Sequence, residues 1–162
     1  MNNAIGQGEI LVTPLQMALL SARLATLGQV PDPIFVLSPA EEIRVPEPLP
    51  FARSDLEWCR NALWQVVGRG TGKLAAVEGI PVAWKTGTAQ NSHGEDHAWF
   101  MCYAPADQPE VALALIIENA GGGGSQAAPV AGKWLEFYFG QSPDTVTNSD
   151  RLPAAASGGE TP

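Results

Sequence analysis

Basic residues are scarce in this chain: nine lysines and arginines stand against seventeen acidic residues, a formal charge of -8 over 162 residues. Such a balance repels phosphate backbones and supplies no basic run for an anionic membrane surface, so nucleic acid is not an expected partner. Long hydrophobic runs are missing too. No stretch reaches the ~18 apolar residues of a membrane span, and the polar start Met1-Asn2-Asn3 is not a signal peptide, so nothing within this chain is expected to target or anchor it. Cysteine is limited to Cys59 and Cys102, which form neither a metal-ligand cluster nor a disulfide framework and read as small core residues. The sequence holds no internal repeat, and no metal or cofactor is expected.

What is present fits one globular domain or a piece of one. The chain is 45% apolar and 16% charged, and its 14 prolines and 17 glycines stay below the roughly 25–30% that marks low-complexity chains. Thr13-Pro14-Leu15-Gln16 combines an N-cap threonine, a proline at the first helical position and a capping-box glutamine, which predicts a helix running through Leu27. That helix is apolar almost all round, and Gly28 is placed to end it in the left-handed conformation. Residues 29 to 53 are proline-rich, with one short strand expected over Ile34 to Leu37.

Ser54-Asp55-Leu56-Glu57 reads as a second capping box. Leu56, Cys59, Leu63, Val66 and Val67 then recur at helical spacing until Gly68 and Gly70. Three strands follow, Val82 to Ala89, His97 to Ala104 and Val111 to Glu118, an antiparallel meander whose last link is the turn-rich segment 105–109. After the glycines at 121–124, Ser125 is a candidate cap for a terminal helix. Val130, Trp134, Leu135 and Tyr138 mark the face expected to pack across the sheet. From Gln141 to Pro162 there is no aromatic residue, and Val146 and Leu152 are the only large aliphatics, so this segment is expected to be a disordered tail. The domain is therefore placed at residues 1–140 and the tail at 141–162. The fold class is α/β (α+β), an antiparallel sheet with helices packed on it.

Chemistry concentrates at Lys85-Thr86-Gly87-Thr88, on the first of the three strands. Lys-Thr-Gly is the third element of the serine acyl-transferases, after Ser-x-x-Lys and a Ser-x-Asn type triplet. Alternation lets Lys85 point into a cleft, while Gly87 lets a substrate backbone lie close to the strand edge. Acyl transfer also needs amide donors aimed at the developing oxyanion, and the Thr88 N–H just past the glycine is the candidate. Trp84 faces away from Lys85 by the same alternation and should pack. Trp99 lies near the start of the strand expected to pair with the Lys85 strand and is a candidate substrate contact.

Other motifs occur in register around that strand: Ile5-Gly6-Gln7-Gly8-Glu9, Thr13-Pro14-Leu15-Gln16-Met17-Ala18, Lys85-Thr86-Gly87-Thr88-Ala89-Gln90, His97-Ala98-Trp99-Phe100, Tyr103-Ala104-Pro105, Glu118-Asn119 and Ala127-Ala128-Pro129. The series resembles the class B penicillin-binding proteins over residues 4 to 139, most closely the elongation-type branch often called penicillin-binding protein 2. The resemblance implies the C-terminal part of a transpeptidase domain of the serine β-lactamase/transpeptidase-like fold. In that family a serine attacks the D-alanyl-D-alanine end of a peptidoglycan stem peptide, forms an acyl-enzyme and passes the acyl group to a neighbouring stem's amine. β-Lactams mimic the dipeptide. The resemblance gives Lys85 a part in tuning the serine and lysine of the other motifs, lets the Thr86 and Thr88 hydroxyls hold the substrate carboxylate, and completes the oxyanion hole with the Thr88 N–H. It also implies the periplasmic face of the bacterial inner membrane, with other cell-wall elongation proteins as partners.

The nucleophile is not here. Ser21, Ser38, Ser54, Ser92, Ser125, Ser142, Ser149 and Ser157 are the eight serines, and none is followed by lysine at the third position or asparagine at the second. In the family both missing motifs lie upstream of the Gly6-Gln7-Gly8 segment, so the expected reading is a fragment that does not acylate on its own. A noncatalytic binding module of the elongation machinery is the alternative. A serine β-lactamase is a weaker one. Gly68 to Lys73 fails as a phosphate loop, because Val67 stands where a glycine is needed and Leu74 follows the lysine. His93, His97, Glu95 and Asp96 sit on a loop leading into a strand, without the fixed facing that a metal requires.

Overall fold

The computed structural model describes residues 5–30, 33–34, 49–69 and 73–140. Helix α1 spans Pro14–Ala25, and its first turn is closed as the sequence requires. The Gln16 N–H donates to Thr13 Oγ1 at 3.2 Å, and the Thr13 N–H donates to Gln16 Oε1 at 2.8 Å. Both bonds satisfy amides that the helix start leaves without partners. The other end differs in detail. Leu27 as well as Gly28 adopts positive φ, 54° and 86°, and the Gly28 N–H returns to the Arg23 carbonyl at 2.7 Å. The second left-handed residue is thus a leucine, held by a glycine after it.

Helix α2 spans Arg53–Arg69, so it begins one residue before the Ser54 capping box. The Ala52 carbonyl accepts from the Asp55 and Leu56 N–H groups, and Ser54 lies within the first turn. The helix also continues through Gly68. A single glycine costs a helix only about 1 kcal/mol, which neighbouring turns absorb. Leu56 is buried, and Cys59 and Leu63 are half-buried. The side chains of Val66 and Val67 lie outside the described residues, as do Gly70, most of the expected strand at 34–37 and the expected tail at 141–162. A short 3-10 helix, Lys73–Ala75, leads towards the sheet.

Strands β1 (Ala83–Ala89), β2 (His97–Ala104) and β3 (Val111–Ile117) form an antiparallel sheet in the order β1-β2-β3. These are the expected strands to within one residue. Register places Lys85 opposite Met101, Gly87 opposite Trp99 and Met101 opposite Ala114. Alternation sorts their side chains onto two faces. Ala83, Tyr103 and Ala112 meet Ala25 of α1 and Leu63 of α2 on one face. Trp84, Ala98, Phe100 and Cys102 meet helix α3 (Ala127–Gly140) and Ala75 on the other. The outer edge of β3 has no strand partner among the described residues.

Helix α3 crosses the sheet as expected but uses a different face. Ala127, Ala128, Ala131, Gly132 and Leu135 are buried, whereas Val130, Trp134 and Tyr138 are 47%, 39% and 42% exposed. Only Leu135 of the expected face packs inward. Small residues win because the helix lies close to its neighbours: a Cβ on Gly132 would stand 3.0 Å from the Leu74 carbonyl oxygen. Trp134 and Tyr138 instead stack on each other outside, with ring centroids 5.2 Å apart.

Candidate active site

β1 is one of the two outer strands of the sheet, and its outer edge pairs with no further strand among the described residues. The segment from Gly6 to Val12 runs beside it, and between them lies a cleft of about 640 Å³ bordered by Lys85, Thr86, Gly87, Thr88, Gln90, His97 and Trp99. The Lys-Thr-Gly strand and Trp99 therefore share one cavity. Lys85 and Gly87 sit on the α1 face and Thr86 and Thr88 on the α3 face by alternation; the cleft follows the strand edge and touches both sets.

Each side chain is fixed by its strand position. Lys85 is exposed, and its ammonium donates to the Thr86 carbonyl. Trp84 is fully buried and packs against Phe100, their centroids 6.0 Å apart, which is the orientation alternation predicts. Its indole N–H has no acceptor among the described residues. At Gly87 an added Cβ would lie 3.1 Å from Trp99 Cβ, so glycine permits the close cross-strand approach of Trp99.

The Thr88 main chain faces the cleft. Gln7 Nε2 donates to the Thr88 carbonyl at 2.8 Å, so that carbonyl points away from β2. In an antiparallel strand a residue's N–H and C=O lie on the same edge, and the Thr88 N–H is therefore also directed outward. This is the geometry an oxyanion donor needs: a main-chain N–H on a rigid strand, aimed into a cavity.

Two features behind the strand were not recognised in the sequence. Gly123 presses on the α3 face of the Gly87 rung, where an added Cβ would overlap the carbonyl oxygens of Gly87 and Trp99 and lie 3.1 Å from the Gly87 nitrogen. The Gly123 carbonyl accepts the Ala127 and Ala128 N–H groups at 3.1 and 2.9 Å, so the residue that takes the first amides of α3 also backs the site. The glycine run signalled freedom; at Gly123 it is close contact with main chain that calls for glycine. Glu118-Asn119 is a turn that ties β3 to the loop after β1. Asn119 has φ 53°, accepts from Asn91 Nδ2 at 2.6 Å, and donates its N–H to His97 Nδ1 at 2.9 Å. His97 is thereby a structural acceptor, and no group of three metal-ligating side chains occurs among the described residues.

Among the described residues no serine or cysteine borders the cleft. Ser21 is buried and donates to the Cys102 carbonyl at 2.7 Å, and Ser125 Oγ donates to the Gly122 carbonyl at 3.1 Å. Burial pushes the Cys102 thiol up to about 12, a shift that the hydrogen bond to the Leu113 backbone only partly offsets; such a thiol is no nucleophile. The described residues thus bring the Lys85 strand, its two threonines and an outward main-chain N–H to one cleft.

An outer strand carrying Lys-Thr-Gly over a cleft, with an outward main-chain N–H just past the glycine, is the construction of the serine acyl-transferase class. The penicillin binding protein transpeptidase domain matches residues 1–136, and the chain belongs to that family. It is 35% identical over 163 aligned residues to the peptidoglycan D,D-transpeptidase MrdA of Haemophilus influenzae, covering 85% of this chain and 25% of that protein. It is 32% identical to PbpA, a peptidoglycan D,D-transpeptidase of Mycolicibacterium smegmatis, over 79% of this chain and 29% of that protein. Among solved structures, penicillin-binding protein A of M. tuberculosis as its ceftriaxone acyl-enzyme superimposes with a TM-score of 0.72 at 27% identity, covering 82% of this chain and 34% of that one. Pseudomonas aeruginosa PBP2 in complex with WCK 5153 gives 0.68 at 27% identity, covering 93% of this chain and 34% of that one. The chain thus spans roughly a quarter to a third of these relatives, and its class B, PBP2-like character and its fold are those of their transpeptidase domains.

Proposed function

We propose that this chain supplies the Lys-Thr-Gly wall of a peptidoglycan D,D-transpeptidase site, working with a serine and lysine carried by another part of the domain. One observation carries the reading: the outward Thr88 N–H lies on the same cleft as Lys85 and Trp99. A stem peptide would lie extended along β1, an added strand held by main-chain groups. The Thr88 N–H would donate to the oxygen that gains charge as the serine attacks the carbonyl carbon. One such donor is worth about 2.7–4 kcal/mol in the best-studied acyl-transferases. The Lys85 ammonium would favour the alkoxide form of that serine and the neutral, proton-accepting form of that lysine. The Thr86 and Thr88 hydroxyls would take the terminal carboxylate, and Gly87 would let the peptide approach. β-Lactams would enter by the same contacts. Without the serine, only binding and oxyanion stabilisation remain to the chain, so it is inactive alone. The setting that fits this work is the periplasmic face of the inner membrane, beside the other proteins of wall elongation.

The test is to read the DNA upstream of Met1 for in-frame Ser-x-x-Lys and Ser-x-Asn codons, express the in-frame product and label it with fluorescent penicillin. Labelling that disappears when the upstream serine is changed to alanine is the expected result. A promoter and start site immediately before Met1, with no upstream motif, would replace the reading with that of a noncatalytic binding module.

A further inference from the structure

The Gly6-Gln7-Gly8 segment has a geometry that the acyl-transfer chemistry leaves unexplained. Gly6 and Gly8 take φ of 78° and 122°. A Cβ on Gly6 would meet nothing within 4 Å, so backbone conformation rather than space calls for glycine there. The turn they make carries Gln7 to the outer edge of β1, more than eighty positions along the chain. There the carboxamide acts at both ends: Nε2 donates to the Thr88 carbonyl at 2.8 Å, and Oε1 accepts from the Gln90 N–H at 3.2 Å. It occupies the edge as one peptide group of an added strand would.

We propose that Gln7 is a positioning residue for the transpeptidation site, fixing the edge of β1 from Thr88 to Gln90 so that an extended peptide docks in one register. The proposal rests on the acyl-transfer reading above. A carbonyl oxygen has two lone pairs, so the Thr88 oxygen bound by Gln7 keeps one for an incoming amide, and the Thr88 N–H keeps its outward aim. Glutamine suits the task because one planar group offers a donor and an acceptor at the spacing of a peptide unit. Glutamate lacks the donor, and asparagine is one methylene short. The motif at the start of this chain is then the clamp of a strand whose chemistry lies far downstream.

Two measurements test it. In the full 162-residue chain labelled with 15N, Gln7→Ala is expected to speed hydrogen exchange at the Gln90 amide about tenfold while leaving the β2–β3 amides unchanged. In the in-frame serine-bearing protein, Gln7→Ala is expected to slow acylation by fluorescent penicillin about tenfold at an unchanged thermal midpoint. Gln7→Glu keeps the Gln90 bond but sets a carboxylate against the Thr88 carbonyl, and should be at least as slow. Wild-type acylation in both variants overturns the proposal, as does a rate loss matched by a fall in thermal midpoint, which would make Gln7 merely structural. If the unsubstituted in-frame protein is not acylated at all, the acyl-transfer reading fails instead, and unchanged Gln90 exchange in the chain would then overturn the clamp as well.

Discussion

Gly123→Ala is the sharpest perturbation the fold offers, because the added methyl is directed at main chain on two strands at once. It would overlap the carbonyl oxygens of Gly87 and Trp99, both fixed in the β1–β2 pairing, and crowd the Gly87 nitrogen at 3.1 Å. Overpacking costs typically 1–3 kcal/mol when side chains can rearrange; here the obstructing atoms are ladder carbonyls, which places the expected loss near the upper end, about 3 kcal/mol. For a domain of this size that corresponds to a fall of about 10 °C in Tm. Gly122→Ala is the matched control. Its methyl would meet only Ser125 Oγ, at 3.4 Å, an ordinary contact, so its effect should stay within about 0.5 kcal/mol. Urea unfolding of the two variants, followed by tryptophan fluorescence, gives the comparison directly. Equal midpoints for Gly122→Ala and Gly123→Ala would refute the claim that Gly123 backs the site strand by contact rather than by flexibility.

Ser21→Ala should lose about 1–2 kcal/mol in the same assay, since it removes the buried hydrogen bond that ties α1 to the Cys102 carbonyl of β2. Thiol modification at pH 8 should label Cys59 and spare Cys102 until the protein unfolds. The pH dependence of stability follows from the same burial: the Cys102 thiol moves from 9.0 to about 12, and the Tyr103 phenol from 10.0 to about 12, where nearby Arg60 offsets burial only in part. Both groups hold their protons more tightly when folded. Their stabilising contribution is therefore complete below about pH 9 and lost as pH rises through 12, so denaturant midpoints should fall as pH rises from about 9 to 11.

Much of this was legible because local signals and tertiary packing agreed. Thr13, Pro14 and Gln16 specify a helix start from three residues alone, and the three strands alternate clearly enough to fix which side of β1 carries Lys85 and which carries Trp84. The face of α3 was misread because hydrophobicity ranks Trp134 and Tyr138 above Ala128 and Gly132, whereas close approach to Leu74 and Ala75 demands small residues. The start of α2 was misplaced because Ser54 and Glu57 match a capping box equally well one residue inside the helix; Glu57 instead pairs with Arg53 at 3.0 Å. Within the site, the Lys85 to Thr88 run was readable as chemistry. Gln7 and Gly123 were not, since each acts through a contact with main chain more than twenty residues away in sequence, and spacing along the chain carries no trace of that.

That β1 is an outer strand has a consequence for how such a site can vary. The donor proposed for the oxyanion is a main-chain N–H, which every residue except proline carries. Ordinary substitution at position 88 cannot delete it. Heritable change can weaken it only by altering the course of the strand, and the residues that hold that course belong to two other parts of the chain. A site built this way would lose affinity by displacement, through exchanges at positions that touch no ligand, while its reactive residues read unchanged.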